Sequence, residues 1–278
     1  MAVDTFDAVE NFTHVLRAWE VKTPVERTEL KIIDDTLVDW LGREFAEDAK
    51  NLVRVKNPSS VEWFKRRSLL SQEFAVTLHL LGEDSRVSDE HRQSEIERGL
   101  SSKLKLLTDT VGKRVLLGWM SNLTFADMLK KSIKKSDMKI RDFFASPSDD
   151  ATSGTDFILD YEENGVRHIN LIQLKSTGDG KGSVEFFNES NVTSQGAWVG
   201  SRMLETETVT KMFKKRDELL AAAGTGQHVV AGCFMVEVPS YDHKGVKLDV
   251  FGRVLDESVV KSFTAQAEAS GLVPKGGI

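Results

Sequence analysis

Apolar residues recur at three- and four-residue steps through the first part of the chain and give way to short apolar runs after it. Between Glu26 and Lys50, Leu30, Ile33, Leu37, Leu41 and Phe45 form one stripe, which predicts an amphipathic helix. Thr23-Pro24 supplies a start signal, and Glu26 and Glu29 put negative charge in the first turn, where the helix dipole favours it. Asn57-Pro58 interrupts the pattern. It resumes from Val61 to Leu81 with Trp63, Leu70, Phe74 and Leu78. A third helix is expected from Ser88 to Leu107. Trp19, Trp40 and Trp63 read as core anchors of this helical region rather than as platforms for stacked bases.

The pattern changes after Gly118. Asn122-Leu123-Thr124 opens an expected helix through Phe125, Met128, Leu129 and Ile133, with Lys130, Lys131, Lys134 and Lys135 on its other side. Lys139 to Ala145 reads as a short strand. Gly154 to Tyr161 and Ile169 to Lys175 read as two apolar strands joined by the polar turn Glu162-Glu163-Asn164-Gly165. Arg202 to Ala223 has helical spacing in Met203, Val209, Met212 and Leu219, and Gly224-Thr225-Gly226 stops it. Val229 to Val238 is a continuous apolar run, as in a strand covered on both faces. The tail from Gly271 to Ile278 is expected to fray. The order is helix, strand, strand, strand, helix, strand. It predicts an α+β protein with a helical region over residues 1–118 and an α/β core over residues 119–278.

Composition narrows the class. In a chain of 278 residues, charged residues make up 29% and hydrophobic residues 40%, ordinary values for a soluble globular protein. No apolar run approaches a membrane span, so no membrane partner is expected. Met1-Ala2-Val3-Asp4 lacks a basic start and an apolar stretch, so a cytoplasmic location is expected. Cys233 is the only cysteine, which excludes an internal disulfide and a cysteine-based zinc site; its apolar setting predicts a buried thiol. The six histidines show no metal-ligand spacing.

The net charge of −6 argues against a protein that simply coats DNA, but the charge is unevenly spread. Residues 1–100 carry 14 basic and 20 acidic side chains, whereas residues 101–145 carry 10 basic and 4 acidic ones. Local excess, rather than the total, decides contact with phosphates. A solvated helix face explains the same lysines equally well.

The chemistry concentrates in the two apolar strands. Side chains alternate along a strand, so Gln173 and Lys175 share one face, and a hairpin brings Asp156 beside them. A carboxylate, an amide oxygen and an ammonium then meet at one end of a sheet. Such a trio can hold a divalent cation and position a water against a phosphodiester. A structural hairpin with a surface Asp and a surface Lys is the plainer alternative.

Asp156 followed by Gln173-Leu174-Lys175 resembles the signature of the PD-(D/E)xK nuclease superfamily, in its Gln-x-Lys variant. That family carries an acid at the start of one strand and (D/E)-x-K at the end of the next. Gln173 stands where Glu is usual, and Thr155 stands where the family has Pro. The likeness covers roughly residues 120 to 240. It implies an αβββαβ restriction-endonuclease-like core and a Mg²⁺-dependent DNA endonuclease, a metal-dependent deoxyribonuclease of restriction type. Mg²⁺, or Mn²⁺ in its place, would be held by Asp156 and the Leu174 backbone carbonyl. Gln173 would lend a carbonyl oxygen, and Lys175 would orient the water and stabilise negative charge. Because Gln173 supplies no charge, a second acid is expected from Asp127, Glu97 or Glu189. Lys130, Lys131, Lys134 and Lys135 would contact phosphates of double-stranded DNA. The helical region would serve recognition or dimerisation, and a palindromic target would call for a homodimer.

Other features are weaker. Gly178-x-Gly180-x-Gly182 lacks the ending of a nucleotide loop and reads as a loop able to close on DNA. Asn188-Glu189-Ser190-Asn191 and Ser194-Gln195 are either readers of bases and phosphates or ordinary loop residues. Two further readings stay open: a non-catalytic DNA-binding or assembly protein on a nuclease-like scaffold, for which Gln173 speaks, and an α/β protein with no role on nucleic acid.

Overall fold

The computed structural model describes residues 37–54, 60–84, 90–133, 139–145, 152–177, 182–193, 196–199, 202–223, 228–240 and 246–275. The expected helix start at Thr23-Pro24, Trp19, Lys134, Lys135, most of the Gly178–Gly182 segment and Ser194-Gln195 lie outside them.

Among the described residues, the helices α1 (Glu44–Val53), α2 (Val61–Asp84), α3 (Glu90–Val111) and α4 (Lys113–Ile133) precede the strands. The anticipated break at Gly118 does not occur. The chain turns instead at Gly112, which ends α3 with φ +87°, a value that favours glycine. A glycine inside a helix costs about 1 kcal/mol relative to alanine. Trp119 and Met120, next to Gly118 and almost fully buried, hold the helix through it.

The chain divides into two compact units within α4. The first comprises the residues up to Leu123 together with Leu248–Arg253; the second comprises Thr124–Lys247 and the residues from Val254 onwards. The first unit is a helical bundle around Phe45, Phe74 and Trp119. The Phe45 ring lies 5.8 Å from Phe74 and 5.5 Å from Trp119. Trp63 is half-buried, and its indole N–H donates to the Leu52 carbonyl at 3.1 Å, an anchoring role as expected. Arg253 belongs to this unit and ties to it by donating to the Gly82 carbonyl at 3.0 Å.

The second unit is built on a five-stranded mixed sheet. Its strands are β1 (Lys139–Phe144), β2 (Phe157–Glu163), β3 (Val166–Thr177), β4 (Ser183–Phe187) and β8 (His228–Pro239), in spatial order β1-β2-β3-β8-β4. β1 to β3 are antiparallel, β3 and β8 run parallel, and β4 closes the far edge antiparallel to β8. Asn164 (φ +52°) and Gly165 (φ +76°) turn β2 into β3, the pair of positive φ values that a two-residue hairpin requires. β5 (Val192–Thr193), β6 (Gly196–Val199) and β7 (Arg202–Glu205) form a small antiparallel sheet, followed by α5 (Thr206–Ala222). A last helix, α6, spans Glu257–Ser270.

The protein is therefore α+β, and the helix, three strands, helix, strand order is present, with four more strands among the described residues between β3 and α5. The segment expected to be helical from Arg202 begins as a strand. Leu204 is buried, whereas Met203, which the helical spacing placed inside, is 44% exposed. Nor is the tail frayed at its start. Gly271 (φ +79°) caps α6, and the N–H groups of Leu272 and Val273 return to the Ala267 carbonyl. Leu272 and Val273 are buried, and the Asn170 amide donates to the Leu272 carbonyl at 2.9 Å.

Both faces of the large sheet are covered. Ile158, Ile169, Leu171, Cys233 and Met235 pack against Val209 and Met212 of α5 and against Ala197 and Leu204 of the small sheet. Phe157 faces the other way, with its ring 4.8 Å from Phe125 of α4, which in turn stacks edge-on to Phe263 of α6 at 6.3 Å. Burying each such side chain contributes about 1.5–3 kcal/mol, so the sheet's register is set by which residues must face inward.

Candidate active site

Gln173 and Lys175 lie near the end of β3, two residues apart and therefore on one face. Asp156 lies one residue before β2. Its N–H donates to the Ile172 carbonyl at 2.9 Å, which continues the β2–β3 ladder to the place where the two side chains meet. Upstream, Gly154 adopts φ +66°, and a Cβ there would come within 3.1 Å of Thr208 Cγ2 and 3.8 Å of Gln173 Oε1. Glycine thus lets the backbone pass close to the start of α5 and bring Asp156 against β3. Thr155, in the position where the resembled family has Pro, is fully buried; its hydroxyl has no hydrogen-bond partner among the described residues.

The Asp156 carboxylate is tightly held. Its Oδ2 accepts from the Leu174 backbone N–H at 2.6 Å and from the Gln173 side-chain amide. The same amide nitrogen reaches the Leu174 carbonyl at 3.4 Å. Gln173 therefore presents its nitrogen to Asp156, not the carbonyl oxygen anticipated from the sequence. The physical reason is that an ionised carboxylate only accepts, so the amide must offer its N–H groups. An NH₂ group lies between two oxygens, the positions between which a cation would be held. Lys175, half-buried, completes the trio, and no ion pair or hydrogen bond to its ammonium is present among the described residues.

Two of the three acids expected as second ligands, Asp127 and Glu189, have partners of their own. Asp127 Oδ2 accepts from the Val254 N–H at 2.8 Å and pairs with the Lys131 ammonium at 2.6 Å, a latch between α4 and the chain before α6. Glu189 pairs with Arg216 at 2.5 Å, and that guanidinium holds its carboxyl below the usual range. Glu97 lies on α3 in the first unit, whereas Asp156 lies in the second. Among the described residues no three His, Cys, Asp or Glu side chains gather into a metal-ligating group.

The lysine cluster is also changed. Lys131 gives its ammonium to Asp127 and to the Val254 carbonyl, the latter at 2.6 Å. Lys130 is half-buried and has interactions of its own. The Asn188–Asn191 segment is a capped 3₁₀ turn: Asn188 Oδ1 accepts from the Ser190 N–H, and Asn191 Oδ1 accepts from the Asn188 N–H, both at 2.9 Å. Those side chains serve the backbone.

Glu237 is an acid on the site's face that the sequence pattern did not single out. Glu237 of β8 is in register with Lys175 and is 7% exposed. Its signal was legible: it is the only charged residue within the apolar run Val229 to Val238. Ser183 of β4 donates to Glu237 Oε2 at 2.9 Å. Cys233, on the same face but deeper, is buried as expected, and burial pushes its thiol up to about 12.

No family model, curated protein or solved structure matches this chain. No described helix is long and apolar enough to cross a membrane.

Proposed function

We propose that the protein is a Mg²⁺-dependent DNA endonuclease with a restriction-endonuclease-like core. The observation that carries this reading is the contact of Asp156 with Gln173 at one end of the β2–β3 hairpin, with Lys175 two residues further along the same face of β3. The strand order around that hairpin supports it. Asp156 and the Leu174 carbonyl would hold the divalent cation, and Gln173 would add an oxygen once its amide turns over. Bound there, the cation would supply Lewis acidity toward a phosphate and acidify its water. The residues themselves orient and stabilise. The Leu174 N–H fixes Asp156, and Lys175 places a positive charge where negative charge grows on the phosphate oxygens. Double-stranded DNA is the proposed partner.

A second reading rests on the Gln173 amide. With its nitrogen on Asp156, the polar groups satisfy one another without a cation, as a non-catalytic DNA-binding or assembly protein would require. A Mg²⁺ titration on plasmid DNA separates the two. Cleavage by the wild type and none by Lys175→Ala supports the nuclease. Salt-dependent binding without cleavage at any Mg²⁺ concentration supports the second reading, and no DNA binding at all refutes both.

A further inference from the structure

We propose that Gln266 is a side-chain plug on the outer edge of β4, and that it keeps this edge from pairing with β4 of a second copy of the chain. This role is independent of any reaction at the candidate active site.

β4 is the last strand of the large sheet, and among the described strands it pairs only with β8. Residues of an antiparallel strand alternate: one turns its N–H and C=O to its neighbour, and the next turns them away. The Val184 N–H donates to Oε1 of Gln266 on α6 at 3.2 Å, so Val184 and, two residues on, Phe186 turn theirs outward. Gln266 Nε2 in turn reaches the Gly182 carbonyl at 3.4 Å and donates to the Ser262 hydroxyl, one turn back on α6, at 3.2 Å. One carboxamide thus offers β4 an acceptor and a donor, as a neighbouring strand would. At the other end the Asn188 N–H donates to Asn191 Oδ1 at 2.9 Å. Between them the Phe186 N–H has no hydrogen-bond partner among the described residues, and the Phe186 side chain is 46% exposed. Open backbone groups beside an exposed ring are a template for another strand.

The strand's own residues select a second β4 as that strand. Self-pairing about a two-fold axis runs antiparallel, with outward residues opposite outward residues. Val184 opposite Phe186 would set the two Glu185 side chains against each other, and like charges directly opposite are destabilising. Phe186 opposite Phe186 would need Asn188, whose N–H is already given to Asn191. Val184 opposite Val184 meets neither obstacle. It sets Glu185 opposite Ser183 and lets the Phe186 N–H reach the Gly182 carbonyl of the second copy. This register uses the Val184 N–H and the Gly182 carbonyl, the two groups that Gln266 holds.

The test uses the full chain. Mass in solution is measured by light scattering over a concentration series for the wild type, Gln266→Ala, Phe186→Pro and the double variant, with thermal melts as controls. Gln266→Ala is expected to double the wild-type mass as concentration rises. The double variant is expected to keep the wild-type mass, because proline removes the Phe186 N–H and suits only an unpaired edge. Amide exchange gives a reading that needs no second substitution and decides alone if the double variant melts early. In dilute Gln266→Ala the Val184 N–H is expected to exchange about fivefold faster than in the wild type, the scale of one side-chain hydrogen bond. At high concentration the Val184 and Phe186 N–H groups of this variant are both expected to become protected. A Gln266→Ala protein that keeps the wild-type mass overturns the proposal. So does a gain in mass without protection at Val184 and Phe186, since another surface would then associate. A wild type whose Phe186 N–H becomes protected as concentration rises overturns it as well, since the plug would not keep the edge closed.

Discussion

Gln173 and Asp156 are joined side chain to side chain, with the amide nitrogen of one on Oδ2 of the other. The amide so placed also faces the Leu174 carbonyl, so a neutral donor bridges the two oxygens best placed for a cation. This relationship makes the site's state depend on a single rotation of one amide.

Replacing that amide by a carboxylate sharpens the contrast. Gln173→Glu sets two like charges against each other, which disfavours both being ionised unless a cation intervenes. The variant is expected to melt lower than the wild type in chelator and to gain more stability from Mg²⁺, since ligand bound only to the folded state stabilises it by mass action. Thermal melts across a Mg²⁺ series check this; an equal or smaller Mg²⁺ gain in Gln173→Glu refutes it.

Asp156 and Lys175 differ in what they hold. Asp156→Ala strands the Leu174 N–H, which now donates at 2.6 Å, and is expected to cost about 1–3 kcal/mol as well as cleavage. Lys175→Ala removes a group without a hydrogen bond or ion pair among the described residues, so its loss falls on rate alone, by orders of magnitude. Denaturant titration beside cleavage kinetics distinguishes the two variants. Equal stability losses would contradict the geometry.

The Asp127 latch is structural. Asp127→Ala is expected to lower stability by about 1–3 kcal/mol, because the Val254 N–H loses its acceptor. Asp127→Asn keeps an acceptor and should lose less. Neither should alter the Mg²⁺ dependence of cleavage, and a higher Mg²⁺ requirement for Asp127→Asn would return this acid to the metal site.

Alkaline stability follows from two groups. Burial, the largest cause in each, raises the Cys233 thiol from 9.0 to about 12 and the Tyr161 phenol from 10.0 to about 12. Each contributes stability that is fully present below its unfolded value and is lost as pH rises through its folded value. Stability is therefore expected to fall between pH 9 and 12, and less steeply in Cys233→Ala. The folded protein should also resist thiol reagents at pH 8 and react on unfolding. A rapidly labelled native thiol would contradict the burial of Cys233.

Local pattern was enough wherever one element carries its own signal. Leu70, Phe74 and Leu78 announce α2 by spacing alone, and all three are buried. Asn164-Gly165 between two apolar runs announces the β2–β3 hairpin, because few other residues accept two successive positive φ values. That hairpin also places Asp156 beside Gln173, so this contact was readable from residue order. Glu237 was equally visible as a lone charge in an apolar strand.

Tertiary structure decided what depends on neighbours distant in sequence. Arg202 to Glu205 pairs as β7 because β6 lies beside it, with Gly196 approaching the Leu204 carbonyl so closely that a Cβ would collide at 2.0 Å. No periodicity within the segment reports that partner. That Asp127 accepts from the Val254 N–H, 127 residues on, has no signal in the residues around it. The row Ser183, Glu237, Lys175 arises only when β4 and β3 flank β8. Hydrophobic spacing and turn residues act over a few positions and survive in the bare sequence; strand pairing and charge compensation are settled by which distant segments the buried core brings into contact.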